Sequence, residues 1–250
     1  MLDVIFLSFF EANAEDNWSQ LTSRFPHVKR VDGISPIGAA HRQCASIAET
    51  DYFYVVDADA IILDSFDFDF IPDPKVRWPG GNFQDKYVYV WRSLNPVNNL
   101  VYGYGGVKLF PREGVLNHKV WKPDFATSVA EAFRPMPEIS NITAFDFSEY
   151  NTWKSAFREC SKLQSKVIAR QKDDETELRL WSWRTQCGKH KFGIEQINAR
   201  FCRSCQPAAP CPRRSSRQAG FCHAIFARTK SRSGPRELTS GVFFARRRLG

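Results

Sequence analysis

The 250-residue sequence lacks long hydrophobic runs, and it has few cysteines outside its last quarter. No stretch of eighteen residues is apolar throughout, and Met1 leads directly into the strand-like LDVIFLSFF without a basic leader. We therefore expect neither a membrane span nor a signal peptide. Only Cys44 and Cys160 precede residue 187, which favours a reducing, cytoplasmic setting.

Two common phosphate-binding motifs are also missing. No Gly-Lys-Ser/Thr follows a strand pattern, which excludes a P-loop. Gly103, Gly105 and Gly106 neither follow the first strand nor open a helix, which excludes a dinucleotide fingerprint. They fit either a tight turn or a loop that approaches a ligand closely, where Lys108 would neutralise a phosphate. A sugar nucleotidyltransferase is disfavoured, because the glycine-rich loop it needs after the first strand is absent.

Charge is distributed unevenly along the chain. The net charge is +8, but residues 187–250 carry eleven Arg and three Lys against two Glu, a net of +12, which leaves −4 on residues 1–186. The first part is long enough for one α/β domain, and its aromatic and aliphatic residues suffice for a core. The sequence thus predicts a catalytic or binding domain over 1–186 and a basic tail over 187–250.

The tail is rich in Arg, Ser, Pro and Cys and shows no periodic pattern. Three interpretations stay open. Cys202, Cys205, Cys211 and the Cys222-His223 pair offer zinc ligands, although their spacing fits no familiar finger. The arginines suit a nucleic-acid-binding arm. A third interpretation is a segment without selected structure, such as the product of a frame shift.

Strand and helix patterns alternate in the first sixty residues. Strands are predicted over 3–10, 28–34 and 51–59, with helices over 16–25 and 37–50 between them. This order predicts a mostly parallel, Rossmann-like sheet flanked by helices. Further along, the patterns predict strands over 87–91 and 139–145, a helix over 124–133, and a long helical region over 149–184.

The stretch DYFYVVDADA ends a buried strand on two carboxylates, Asp57 and Asp59. If the segment is extended, both side chains lie on one face, since side chains alternate along a strand. Carboxylates at the carboxyl end of a central strand can hold a hard divalent cation and a diphosphate, although an acidic pair in a surface turn looks the same in sequence. Strand ends meeting at this edge would form one cleft from Ser8, Glu11, Asp32, His41, Asp57 and Asp59.

The following segment alternates aspartate with phenylalanine, in Asp64, Phe66, Asp67, Phe68, Asp69 and Phe70. Period-two alternation predicts an edge strand with phenylalanine inward and aspartate outward.

Several motifs in residues 1–186 resemble those of GT-A type glycosyltransferases, most closely small glycosyltransferase-like proteins encoded by tailed bacteriophages. The motifs are DVIFLSFFEANAEDNW, VVDADA, FDFDFIP, VWRSLNPVNNLVYGYGGVKLFP, SNITAF and WKSAFRECSKL. The resemblance implies a GT-A fold and transfer of a sugar from a nucleotide-sugar donor, most plausibly a UDP-sugar, with Mn²⁺ or Mg²⁺. The implied acceptor is a glycan or a modified nucleic acid, in the host cytoplasm if the gene is a phage gene.

The resemblance also implies roles for individual residues. Asp57 and Asp59 would bind the metal, with His190 as a third ligand, or His118 in its place. The nucleotide would contact Ser8, Asp32, His41 and Asp57, and the acceptor side would consist of Trp91, Asn95, Tyr104, Gly105 and Gly106. Asp124 and Glu159 are the candidate catalytic bases, since an inverting transfer needs a carboxylate near the acceptor hydroxyl. The alternative function is nucleic-acid binding through the basic tail.

Overall fold

The computed structural model describes residues 1–102, 105–118, 125, 129–130, 132–165, 172–186 and 190–192. The chain divides into two units, Met1–Ile197 and Asn198–Gly250, and every described residue belongs to the first. The predicted tail therefore lies outside the described residues, apart from 190–192, and its three interpretations stay predictions. Among the described helices, none is long and apolar enough to cross a membrane.

The first half of the sheet follows the predicted alternation. The elements are β1 (Asp3–Ser8), α1 (Ala14–Arg24), β2 (Lys29–Asp32), α2 (Ile37–Ile47) and β3 (Tyr52–Asp57). β1 pairs in parallel with both β2 and β3. Helix α1 thus connects the parallel neighbours β1 and β2, and α2 crosses over from β2 to β3 on the other side of β1. Local periodicity was sufficient to predict this part of the fold.

The second half departs from the predicted parallel sheet. It comprises β4 (Ala60–Ile62), a 3₁₀ turn (Gln84–Lys86), β5 (Tyr87–Leu94), β6 (Val101–Tyr102), β7 (Val107–Pro111), α3 (Arg112–Leu116) and β8 (Ala132–Thr143). The strand order is β2-β1-β3-β7-β5-β8-β4, with β6 beside β5. β7 runs antiparallel to β3 and β5, whereas β8 runs parallel to β5.

The α/β class is confirmed, but the prediction of a mostly parallel sheet is wrong, because the sheet is mixed. Parallel neighbours require a long crossover, usually a helix. Between β3 and β7 the described chain contains no α-helix, only the strands β4, β5 and β6, the 3₁₀ turn and irregular loops. It therefore enters the middle of the sheet in the opposite direction.

Both faces of the sheet are covered, and β3 shows why its sequence is a continuous apolar run. Tyr54 and Val56 pack on one face with Leu21 of α1. Phe53 and Val55 pack on the other with Cys44 of α2. A strand buried on both faces does not alternate between apolar and polar residues.

The predicted edge strand over the aspartate and phenylalanine stretch is wrong. Residues 63–73 form turns and irregular backbone, although Phe66 and Phe68 point inward as expected and the three aspartates are exposed. The guanidinium of Arg24 donates hydrogen bonds to the carbonyl oxygens of Leu63 (3.0 Å) and Phe66 (3.1 Å). These contacts satisfy carbonyls that a neighbouring strand would otherwise pair.

Two helices complete the described unit, α4 (Glu149–Gln164) and α5 (Asp173–Thr185). The predicted helical region over 149–184 is therefore split, with residues 166–171 between them outside the described part. Ser148 caps α4 by accepting a hydrogen bond from the Asn151 backbone N–H at 3.2 Å. The predicted helix over 124–133 is wrong where it is described, because Ala132 and Phe133 pair with β5 as the start of β8.

Candidate active site

The carboxyl ends of β1 and β3 lie side by side. Leu7 is opposite Asp57 in the parallel register, and the Ala58 N–H donates to the Leu7 carbonyl at 3.0 Å. On its other side Asp57 approaches the start of β7, where its backbone N–H donates to the Gly106 carbonyl at 2.9 Å. Asp57 thus marks the point where the parallel pair β1–β3 meets the antiparallel β7.

Asp57 and Asp59 do not lie on one extended segment, which corrects the premise of the sequence prediction. β3 ends at Asp57, and Ala58 and Asp59 form a turn before β4 begins. The chain must turn here because β4 pairs with β8 rather than continuing along β3.

This acidic turn, residues 57–59, is held by contacts from distant segments. The buried Asn17 of α1 donates its side-chain N–H to the Ala58 carbonyl at 2.7 Å. The Asp59 carbonyl accepts from the Ala144 N–H at 2.6 Å, and the Ala144 carbonyl accepts from Asn13 Nδ2 at 2.9 Å. Helix α1 and the end of β8 therefore fix the turn together.

Asp57 is paired with a cation of the protein itself. Lys108 Nζ on β7 lies 2.7 Å from Asp57 Oδ2 and also donates to the Gly105 carbonyl oxygen. The lysine side chain is 14% exposed, and the Asp57 carboxylate is 34% exposed. The pair is therefore open to solvent on the carboxylate side and enclosed on the lysine side.

Asp59 has no comparable neutralisation. Burial, followed by repulsion from Asp57, raises the pKa of Asp59 from 3.8 to about 6, and the charge of Glu11 contributes in the same direction. The positive charge of Lys108 lowers the pKa of Asp59 but does not compensate for these effects. Asp59 is thus a carboxylate that a bound cation would stabilise. Asp57, Lys108 and Glu11 are close enough to Asp59 to act on its charge, and the predicted cleft stays a prediction.

Ser8 and Asp32, at the adjacent ends of β1 and β2, are directly bonded. Ser8 Oγ donates to Asp32 Oδ1 at 2.5 Å and accepts from Arg30 Nε at 3.2 Å. Arg30 is held in turn by a two-point ion pair with Glu15, at 2.6 and 2.9 Å. Ser8 itself is only 1% exposed, so its hydroxyl serves this network.

Sequence reasoning missed two exposed aromatic residues directly after β1. Phe9 is 48% and Phe10 is 81% exposed, and their ring centroids lie 4.9 Å apart. Phe10 adopts a left-handed backbone conformation with φ of +61°, which is uncommon for a bulky residue. The doubled phenylalanine is the available signal in the sequence. The apolar run predicts both residues as the end of the strand over 3–10, whereas β1 ends at Ser8.

His41 lies inside the core. It is 4% exposed, its Nδ1–H donates to the Ile37 carbonyl at 2.9 Å, and its ring contacts those of Phe110 and Phe125. Burial, as the main cause, lowers the pKa of His41 from 6.5 to about 4. The imidazole is therefore neutral near neutral pH, and its place in a nucleotide pocket stays a prediction.

The acceptor-side residues have varied surroundings. Trp91 packs against Tyr54 and Phe66 and lines a cavity of about 450 Å³ with Phe70 and Met136. Asn95 is buried, and its Oδ1 accepts the backbone N–H groups of the following turn, from Val97 (2.9 Å) and Asn98 (3.3 Å). These bonds show that Asn95 shapes the loop.

Gly106 is packed tightly. A Cβ at this position would lie 2.3 Å from the side chain of the buried Asn141, whereas a Cβ at Gly105 would meet no described atom within 4 Å. Tyr104 lies outside the described residues, so its predicted acceptor role stays a prediction.

Glu159, a predicted base, and His190, predicted as a third metal ligand, have partners within the protein. Glu159 on α4 forms an ion pair with Arg179 of α5 at 2.9 Å, and Asp124 lies outside the described residues. His190 Nε2 lies 2.9 Å from Asp146 Oδ2, and His190 Nδ1 accepts the Phe192 N–H at 3.1 Å. Both ring nitrogens of His190 are therefore engaged. In the described part of the chain, no three His, Cys, Asp or Glu side chains are arranged to hold a metal ion.

No family model matches this chain, and no curated protein matches it in sequence. Among solved structures, the chain is similar to a glycosyltransferase involved in the glycosylation of the major capsid of PBCV-1. The sequence identity is 10%, the TM-score is 0.31, and the match covers 54% of this chain and 81% of that chain. A likeness at this TM-score carries no argument about function, which must be inferred from the residues around the acidic turn.

Proposed function

We propose that this protein transfers a glycosyl group from a nucleoside-diphosphate sugar, with a UDP-sugar as the first donor to test, to an acceptor hydroxyl. The observation that carries the proposal is the under-neutralised Asp59, next to the Asp57–Lys108 pair, at the carboxyl ends of β1 and β3. In open α/β sheets this edge is where ligands bind. A site with clustered carboxylates and one lysine suits a diphosphate that arrives with a divalent cation.

The residues present fit Mn²⁺ or Mg²⁺. Asp59 offers carboxylate oxygens whose negative charge is only partly compensated, and Asp57 offers a carboxylate that is one-third exposed. Both ions prefer oxygen ligands and bind through one or two carboxylates together with substrate phosphates. Such an ion supplies Lewis-acid stabilisation of negative charge on the departing diphosphate. We propose Asp57 and Asp59 as its protein ligands.

The other residues of this edge would orient the donor. Phe9 and Phe10 offer exposed rings beside the acidic turn, and aromatic rings stack on nucleobases. Gly105 has open space where a side chain would stand, which leaves room for the sugar and the acceptor, whereas Gly106 packs against Asn141. Transfer of the acceptor proton to a carboxylate is expected of an inverting reaction. Glu159 and Asp124 stay the predicted candidates for that role.

The direct test is ligand-induced stabilisation. We expect UDP together with Mn²⁺ to raise the melting temperature more than either alone, because a ligand that binds only the folded state stabilises it. Asp59→Asn preserves the shape of the side chain and should abolish the additional shift, whereas Asp69→Asn, which alters an exposed aspartate, should retain it. An unchanged shift in Asp59→Asn would contradict the proposal.

Donor and acceptor follow from two screens. Slow hydrolysis of nucleotide sugars, measured as released nucleoside diphosphate, would identify the donor. Transfer to glycans and to DNA with modified bases would then distinguish the two proposed acceptor classes.

For the alternative function, the full chain and a chain ending at residue 186 should be titrated with DNA at several salt concentrations. A steep salt dependence that disappears with residues 187–250 would favour nucleic-acid binding.

A further inference from the structure

Lys108 occupies an unusual position for a lysine. It lies on β7, which is inserted between β3 and β5 in the middle of the sheet, and its side chain is 14% exposed. Two hydrogen bonds hold its ammonium group, one to Asp57 Oδ2 at 2.7 Å and one to the Gly105 carbonyl. Lysine is rarely enclosed to this degree without a defined partner.

The two partners belong to two different segments that meet at the candidate ligand site, where the Asp57 N–H also donates to the Gly106 carbonyl. Asp57 belongs to the acidic turn, and Gly105 precedes the tightly packed Gly106. Lys108 thus connects the acidic turn, through Asp57, to the backbone at Gly105. It places its positive charge on the carboxylate that a divalent cation would use.

An ammonium group in contact with a carboxylate weakens the binding of a divalent cation to the same carboxylate, because the two cations repel each other. An ammonium also has three donors on a flexible stem, so it can exchange one acceptor for another with a small movement. A phosphate oxygen is a stronger acceptor for it than a carbonyl oxygen, because charge-assisted hydrogen bonds are the stronger kind.

We propose that Lys108 is an exchangeable counter-ion of this site, which competes with a divalent cation for Asp57 and moves its ammonium to a phosphate oxygen when a nucleoside diphosphate binds. Only the second part of this inference, the movement of the ammonium to a phosphate oxygen, rests on the proposed function. It assigns Lys108 opposite effects on two ligands. The lysine weakens binding of the metal alone and strengthens binding of the diphosphate.

The experiment measures two affinities of Lys108→Met and the wild type. Mn²⁺ alone is titrated with the free ion monitored by electron paramagnetic resonance, and UDP is titrated by calorimetry in the presence of EDTA. We expect the variant to bind Mn²⁺ about fivefold more tightly and UDP about tenfold more weakly, the effects expected for one partly exposed charge. Lys108→Arg keeps the charge and should shift the Mn²⁺ affinity much less.

Lys29→Met is the matched control. Lys29 is also ion-paired, with Asp3 at 2.8 Å, but it lies at the amino end of β2. Its loss should change neither affinity. If circular dichroism shows that Lys108→Met does not fold, Lys108→Gln takes its place. The amide of glutamine carries no charge, but it can still donate a hydrogen bond to the Gly105 carbonyl.

The two halves fail separately. If UDP binds to the wild type and Lys108→Met alters neither affinity, the role of Lys108 is overturned while the proposed function stands. If neither the wild type nor Lys108→Met binds UDP, but the variant binds Mn²⁺ more tightly, competition for Asp57 is supported. The proposed movement of the ammonium to a phosphate oxygen is then overturned, together with the proposed donor. Weaker Mn²⁺ binding by the variant would refute the competition.

Discussion

Asp57 and Asp59 should respond in opposite ways to removal of their charge, although they are only two residues apart. Asp57 gains an ion pair with Lys108, whereas Asp59 is buried against like charge. We therefore expect Asp59→Asn to stabilise the protein near neutral pH and Asp57→Asn to destabilise it. Stabilisation by removal of a site residue is what an electrostatically strained functional site predicts.

The magnitude follows from the pKa of Asp59, which is raised from 3.8 to about 6. One pKa unit corresponds to about 1.4 kcal/mol, which gives an upper limit of about 3 kcal/mol. Solvent reaches the partly buried carboxylate and screens part of this energy, so we expect a gain of about 1–2 kcal/mol. For Asp57→Asn we expect a loss of about 1 kcal/mol, because the enclosed ammonium of Lys108 loses its negatively charged partner and keeps only the Gly105 carbonyl.

The direction of the pH dependence is also determined. Because the folded state raises the pKa of Asp59, its stabilising contribution is complete below pH 3.8 and is lost as the pH rises through about 6. The advantage of Asp59→Asn should therefore be near zero at pH 4 and reach its full value above pH 7.

Urea unfolding of the wild type and both variants between pH 4 and pH 8, in EDTA, measures these differences. EDTA is required because a bound cation would neutralise Asp59 in the wild type. If Asp59→Asn destabilises the protein at pH 7.5 as much as Asp57→Asn does, the inferred excess of negative charge is wrong. A gain that is the same at every pH would point to packing instead.

Three further predictions concern the framework of the site. In an NMR titration the His41 imidazole should titrate near pH 4, since burial lowers its pKa, and a value near 6.5 would mean that it is solvated. Asn17→Ala should lower the free energy of unfolding by about 1–3 kcal/mol, because the Ala58 carbonyl loses its buried donor; Thr22→Ala on the same helix, which removes only hydrogen bonds within α1, is the control and should cost less. Gly106→Ala should destabilise the protein by about 1–3 kcal/mol in urea unfolding, because its Cβ would overlap Asn141, and Gly105→Ala should be close to neutral; equal effects would contradict the packing.

Local sequence patterns predict the first half of the fold because its strands and helices alternate along the chain and all three strands run parallel. The apolar run before Asp57 and the helical spacing of Ala40 and Cys44 are local signals, and both were sufficient. The place of β7 between β3 and β5 depends on pairing between distant segments, which periodicity does not encode. Periodicity therefore does not predict the mixed sheet. It also does not predict that the Arg24 guanidinium, rather than a neighbouring strand, bonds to the carbonyls of Leu63 and Phe66.

The candidate site shows the same division. Asp57 and Asp59 are two residues apart, so the sequence predicts them as a pair, and it also predicts Lys108 as a possible partner of phosphate. Its pairing with Asp57 follows from the antiparallel register of β3 and β7, which brings Val55 opposite Lys108. The engagement of both nitrogens of His190 likewise required coordinates.

The acidic turn is held by Asn17 on one side and by Ala144 on the other. A chain emerging from the ribosome can order its first strands and helices early, but these carboxylates gain their final geometry only after β8 has been synthesised and has docked. Partly made protein would therefore expose the two aspartates without a defined spacing between them. The geometry of the acidic turn is therefore completed only when the segment after β8 has docked, rather than developing gradually with the length of the nascent polypeptide.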